Sequence, residues 1–105
     1  MKIAVPTTGK TPSSYINENL GHAPFIAMYN SEIQEYTFIK NPGFQIRDGS
    51  GLKAADILIR NKTNILLTKE VGRKAYSVLM KEHIKVHLLS STGTVKSTIK
   101  KYLKK

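Results

Sequence analysis

The apolar residues of this chain change their period near Leu52, and that change limits its folds more than any other feature. Before it, they fall in short blocks: Lys2 to Val5, Phe25 to Tyr29 and Ile33 to Ile39. Blocks of this length, rich in Val, Ile, Tyr and Phe and bounded by Pro, Gly and Asn, read as strands. After it, Leu52, Ala55 and Ile59, with Ala54 and Leu58 beside them, make one helical face. Val71, Ala75, Val78 and Leu79 make a second over Val71 to Lys81, and Val95, Ile99, Tyr102 and Leu103 a third starting near Thr94. All three repeat with the helical period. Between them Asn64 to Thr68 and Ile84 to Leu89 are short and mostly apolar, the pattern of strands covered on both faces.

The predicted order is therefore β-β-β-α-β-α-β-α, an α/β fold. Two strand–helix–strand crossovers require parallel strands with right-handed connections, while the first half is a meander. One mixed five-stranded sheet with helices packed on it follows. In detail, Pro6 is expected to end the first strand, and Asn30-Ser31-Glu32 to close a hairpin. Ser50 is expected to cap the first helix, and Thr92 or Thr94 the last. Which way Ile33 to Ile39 faces is left open, because Ile33, Glu35, Thr37 and Ile39 alternate imperfectly with Gln34, Tyr36 and Phe38.

A chain of 105 residues supports one domain, 1–105, around a single core. No apolar run approaches the roughly 18 residues of a membrane span, and the start at Met1-Lys2-Ile3-Ala4-Val5-Pro6 is too short for a signal peptide. The cytoplasm is the expected compartment. Cysteine is absent, so the chain offers no disulfide, no thiolate nucleophile and no thiolate ligand. Seventeen Lys+Arg against seven Asp+Glu give a net charge of +10, a potential that favours anionic partners. Part of the excess has a structural role: Lys96, Lys100, Lys101, Lys104 and Lys105 crowd the C-terminal end, where cations suit a helix dipole.

Several catalytic readings fail on composition and spacing. Gly9-Lys10-Thr11 imitates a phosphate loop, but the first glycine of that motif is replaced by Ala4, and Pro12 follows at once. The strand meander followed by helices also suits nucleases of the ribonuclease H type, which need converging carboxylates for two metal ions. Glu18, Glu32, Glu35, Asp48, Asp56, Glu70 and Glu82 are instead scattered over loops, edges and helices. His83 and His87 flank a predicted strand with no third ligand near in sequence, too sparse for zinc. No Ser or Thr has a His and an acid around it in the manner of a hydrolytic triad.

Three loops carry the remaining chemistry. In Asn19-Leu20-Gly21-His22-Ala23-Pro24-Phe25 a glycine and a proline fix the backbone around His22 immediately before a strand. Gly49-Ser50-Gly51 opens a helix, where free amides and the dipole favour an anion and the glycines let it approach. Ser90-Ser91-Thr92-Gly93-Thr94 opens another. These loops are expected to converge at one end of the sheet.

Read together, Met1 to Pro6, Leu20-Gly21-His22-Ala23-Pro24-Phe25, Gly49-Ser50-Gly51, Val71-Gly72-Arg73-Lys74-Ala75, Ile84-Lys85-Val86 and Gly93-Thr94-Val95 resemble the dinitrogenase iron–molybdenum-cofactor biosynthesis family. The resemblance implies a ribonuclease H-like fold without nuclease chemistry, in proteins that bind or carry the iron–molybdenum cofactor or its iron–sulfur precursor. Members commonly show His-Phe-Gly-Arg-Ala-Pro where this chain has Asn19 to Pro24, so Asn19 takes the histidine position and His22 the arginine position. A second common histidine, near the glycine pair, is replaced by Ser50. Amide side chains are poor ligands for thiophilic metals and imidazole suits iron, which makes His22 the candidate metal ligand.

The expectation is a non-enzymatic carrier of an anionic iron–sulfur or iron–molybdenum–sulfur cluster, or of another small anion. The cluster would be held by Asn19, Gly21, His22, Gly49, Ser50, Gly51 and Lys53, with cofactor-assembly proteins as partners. The rival is a basic module binding nucleic acid or protein. Nucleic acid is disfavoured because Trp is absent and the five Tyr and three Phe fall mainly in predicted elements, leaving little sign of a stacking platform.

Overall fold

The computed structural model describes residues 1–104; Lys105, the last of the C-terminal lysines, lies outside the described residues. The strands are β1 (Lys2–Thr7), β2 (Phe25–Asn30), β3 (Glu35–Lys40), β4 (Ile65–Thr68) and β5 (Lys85–Leu88); the helices are α1 (Ser50–Arg60), α2 (Arg73–Lys81) and α3 (Val95–Leu103). They form one mixed sheet in the order β3-β2-β1-β4-β5, antiparallel at β3-β2-β1 and parallel at β1-β4-β5. The β-β-β-α-β-α-β-α order and the α/β class are as the sequence predicts.

The helices cover opposite faces. Ala54, Ala55 and Leu58 of α1 and Ala75 and Leu79 of α2 pack with Ala4, Ile26, Met28 and Leu66. Val95 and Ile99 of α3 pack on the other face with Ile3, Val5, Ala27, Ile65 and Leu67. Period-two alternation along β1 sends Ile3 and Val5 to one layer and Ala4 to the other, so this strand belongs to both cores.

Four local expectations are corrected. Pro6 does not end β1, which runs on to Thr7. The β1–β4 ladder registers only Ile3 and Ala4; beyond it the Pro6 carbonyl accepts from Asn17 N at 2.9 Å, so a residue without an N–H is tolerated there. The β3 strand starts at Glu35, because Gln34 adopts φ 55 in the turn and leaves Ile33 exposed. Gly49, at φ 76, is the N-cap of α1 and Ser50 its first residue; a left-handed cap suits glycine. The β5 strand is an edge rather than a buried strand: Lys85 and Leu88 are exposed.

Tyr29 and Tyr36 are cross-strand partners on β2 and β3 with ring centroids 4.7 Å apart. Burial, and secondarily the neighbouring Tyr29 hydroxyl, raise the Tyr36 phenol above its ordinary value of 10.0. A raised folded pKa means that folding favours the protonated phenol, a contribution complete below the unfolded value and lost as pH rises through the folded one. Denaturant titrations of the wild type and Tyr36→Phe should therefore run parallel up to about pH 9 and diverge above about pH 10, the wild type losing more stability.

Candidate anion-binding site

The register places every relevant loop at one end of the sheet. Thr7 pairs with Phe25 and Phe25 with Lys40, so the end of β1, the start of β2 and the end of β3 lie side by side. The parallel strands β4 and β5 end there too. All three helices start from this carboxyl end, which is where open α/β sheets bind ligands.

The three starts are not equivalent. At α3 the first amides are consumed: Val95 N donates to Ser14 O at 2.9 Å, Lys96 N to Pro12 O at 2.9 Å, and Ser97 N to the Thr94 hydroxyl at 3.1 Å in a capping box. The Ser90–Thr94 turn therefore lies at the expected end but presents no free helix amides. At α1 and α2, by contrast, no side chain caps the helix and no acidic residue stands in the first turn. Their leading amides keep the unsatisfied donors and positive dipole end of a helix start.

These two starts are neighbours. A methyl group on Gly51 would lie 3.3 Å from Ala75 Cβ, which sets the first turn of α1 against that of α2. The 19–22 loop lies across both. A Cβ on Gly21 would come within 2.6 Å of Ser50 Oγ and 2.9 Å of Gly51 N, so only glycine allows this approach. Leu20 N donates to Glu70 O at 3.4 Å and Glu70 N to Glu18 O at 2.8 Å, which ties the other side of the loop to the segment entering α2.

Asn41 holds the arrangement from beneath, a role not read from its Asn-Pro-Gly turn. It is 3% exposed, its amide donates to Leu20 O and Ala23 O at 2.8 Å each, and its side-chain oxygen accepts from Gly43 N at 2.9 Å. The turn after β3 is thereby joined to the 19–22 loop.

Asn19, Lys69, Glu70, Val71, Gly72 and Leu88 line a cleft of about 390 Å³ in front of α2. Gly72, the N-cap of α2, has open space around its Cα: a Cβ there would meet nothing within 4 Å. The Asn19 side-chain oxygen accepts from Gly21 N at 2.9 Å, shaping the turn. The His22 N–H donates to Asn19 O at 3.2 Å, while its imidazole is exposed and unpartnered among the described residues. Lys53 is exposed and lines a separate recess with Pro42, Leu52 and Asp56. The structure thus brings Gly21, Ser50 and Gly51 into contact and puts Asn19 in the cleft, but places Lys53 apart from it. Lys69 and Gly72 are cleft residues that sequence reasoning did not select.

Among the described residues no three His, Cys, Asp or Glu side chains are grouped to hold a metal ion. His83, exposed at φ 61, sits in the turn before β5 rather than on the strand, and His87 packs edge-on to Tyr102 at 5.4 Å between centroids. Uncapped helix-start amides suit an anion rather than a bare cation; Lys69 and Glu70 both line the cleft, and the His22 imidazole is not among its lining residues.

The family model for the dinitrogenase iron-molybdenum cofactor family matches residues 1–105. This chain belongs to that family. No curated protein matches its sequence. Among solved structures it is similar to the apo form of the orange protein from Desulfovibrio gigas, at 25% identity and a TM-score of 0.92, covering 98% of this chain and 87% of that one. It is also similar to a NifB-like protein of the DUF35 family from Thermotoga, at 25% identity and a TM-score of 0.85, with 98% and 87% covered. No helix among the described residues is long and apolar enough to cross a membrane.

Proposed function

We propose that this protein is a non-enzymatic carrier whose cargo is an anionic metal–sulfur cluster of the iron–molybdenum or iron–sulfur type, bound at the paired starts of α1 and α2. The observation that carries this reading is that two adjacent helix N-termini are uncapped by side chains, whereas the third is fully capped. Membership of a family named for the iron-molybdenum cofactor supports the cargo class. Likeness to an orange protein solved in its apo form supports a binding role.

In this reading the amides of Ser50–Leu52 and Arg73–Ala75 point their N–H dipoles at sulfide and carry the attraction, since Lys69 at the cleft is offset by Glu18 at 3.9 Å and by the neighbouring Glu70. Gly49 and Gly72 keep the approach open, Gly21 and Gly51 let the 19–22 loop and the two helix starts pack closely, and Ser50 offers a hydroxyl. Asn19 shapes the loop that presents the His22 imidazole as the single side-chain ligand to metal. Lys53, on the first turn of α1, contributes long-range attraction rather than contact. The net charge of +10 steers the anion inward. Cofactor-assembly proteins are the partners such a carrier would serve.

The test is anaerobic loading with iron, molybdate and sulfide, followed by analysis of bound metal and sulfide per chain. The wild type should retain all three components, or iron and sulfide alone if its cargo is the precursor. His22→Ala should fold normally and weaken retention at least roughly tenfold, as loss of a metal-site partner does. Undiminished uptake by His22→Ala would remove the imidazole from the site while leaving the helix starts in place. No retained metal or sulfide in the wild type would overturn the reading.

A further inference from the structure

The opposite face of the sheet carries a second surface, independent of the cluster cleft. Cross-strand pairing sets three rows on the α3 side: Thr7–Phe25–Lys40, Val5–Ala27–Phe38 and Ile3–Tyr29–Tyr36. Four aromatic rings, Phe25, Tyr29, Tyr36 and Phe38, thus share one face of β2 and β3. Tyr36 and Phe38 stack with centroids 6.3 Å apart and planes at 14°, and Tyr36 meets Tyr29 at 4.7 Å. All four rings are half-buried, with Ala27 fully buried between them.

They are half-buried because α3 packs over β1 and β4, through Ile3, Val5, Ile65 and Leu67, and no helix follows on the β2–β3 side. The flank of α3 bearing Thr98 and Lys101 turns toward β5, lining a recess there with His87 and Leu88. At about 100° per residue the opposite flank, toward β2 and β3, bears Lys96 and Lys100. Lys40 ends the aromatic rows, and the Lys10 ammonium lies 5.5 Å from the centre of the Phe25 ring. The nearest acid in sequence, Glu35, starts β3 but alternation sets it on the opposite face from Tyr36 and Phe38, and Glu32 sits in the distant turn and pairs with the chain's amino terminus at 3.5 Å.

We infer that this aromatic, lysine-bordered face of β2 and β3 binds single-stranded nucleic acid, with bases stacked on Tyr36 and Phe38 and phosphates met by Lys10, Lys40, Lys96 and Lys100. Charge selects this occupant: a border of lysines on a chain of net charge +10 repels a second copy of itself and attracts a polyanion. Rings open on a sheet face supply the sequence-tolerant stacking that positive charge alone lacks. A duplex hides its base faces and cannot use such a surface.

The test is fluorescence anisotropy with labelled single-stranded DNA and RNA 12-mers and the matching duplex at low and physiological salt. Single strands should bind more tightly than duplex, with affinity falling steeply as salt rises. Phe38→Leu and Tyr36→Leu, which keep an apolar side chain in the sheet, should each weaken single-strand binding roughly five- to hundredfold while leaving the salt slope unchanged. Lys40→Ala and Lys96→Ala should weaken binding and flatten that slope instead. Comparing the DNA and RNA arms identifies the preferred strand. Equal affinity for duplex, or ring variants that bind like the wild type, would reduce the effect to non-specific charge and overturn the inference. So would absence of oligonucleotide binding, or dimerisation through these rings in sedimentation.

Discussion

Gly43→Ala is expected to be the most damaging single-methyl change in this protein, lowering stability by about 3 kcal/mol or more and Tm by more than roughly 10 °C. A Cβ on Gly43 would fall 2.2 Å from Ser50 O and 3.3 Å from Gly21 O, both backbone atoms that cannot rotate aside. Relief would require pushing the start of α1 away from the turn after β3. That turn is held by Asn41, whose bonds to Leu20 O, Ala23 O and Gly43 N would be strained or broken together. Losing buried hydrogen bonds leaves polar groups unsatisfied, which adds to the steric cost. Gly72→Ala is the matching control, because a Cβ there meets nothing and the backbone at φ −65 and ψ 153 accepts any residue. Thermal and denaturant unfolding of the two variants should separate sharply; a Gly43→Ala protein as stable as Gly72→Ala would show that the loop and helix are not locked together.

The architecture was legible because periodicity is a local signal with a global consequence. Ala54, Ala55 and Leu58 repeat as a helix must, and Ile65 to Leu67 run apolar as a strand covered on both faces must. The errors fall where a tertiary partner overrides a local rule. Pro6 stays in β1 because the neighbouring backbone at Asn17 donates to its carbonyl and asks nothing of its nitrogen. Ser50 looks like a cap, yet Gly49 takes the position because only a left-handed residue turns the chain from the Asn41–Gly43 region into α1.

The candidate site was legible in part for the same reason. Gly21, Ser50 and Gly51 stand out by residue type, and the structure brings them into contact. Lys69 and Gly72 do not stand out, since nothing in the sequence says that the 19–22 loop pairs with Glu70 and opens a cleft before α2. Nor does it say that Pro12 and Ser14 consume the amides of α3, which removes the Ser90–Thr94 turn from the candidates. The aromatic face was legible only in part: alternation groups Tyr36 with Phe38, but which way they face follows from the pairing of Tyr36 with Tyr29 and of Phe38 with Ala27, which is tertiary.

The second large effect is one in which stability and binding move in opposite directions. Gly72→Asp places a carboxylate at the N-cap of α2, where it can accept from the first-turn amides and meet the positive end of the dipole. The open space around Gly72 admits the side chain without a clash. Stability should rise by about 0.3–1 kcal/mol. The same carboxylate occupies the donors an anion would use and adds a like charge at the cleft. One negative charge at about 4 Å opposes another by about 1 kcal/mol in water and about 4 kcal/mol near a protein surface. Anion affinity should therefore fall at least roughly tenfold. A mutation that merely disturbed the fold would lower both quantities.

Anaerobic titration of wild-type and Gly72→Asp protein with tetrathiomolybdate, a diamagnetic molybdenum–sulfur anion, followed by amide chemical shifts, tests this account most directly. The account predicts that the amides of Ser50–Leu52 and Arg73–Ala75 shift in the wild type. Those of Val95–Ser97 stay still, and the Gly72→Asp protein, though more stable, responds at least roughly tenfold more weakly. Shifts that spread over the lysines of α3, or a Gly72→Asp protein that binds as tightly as the wild type, would contradict it.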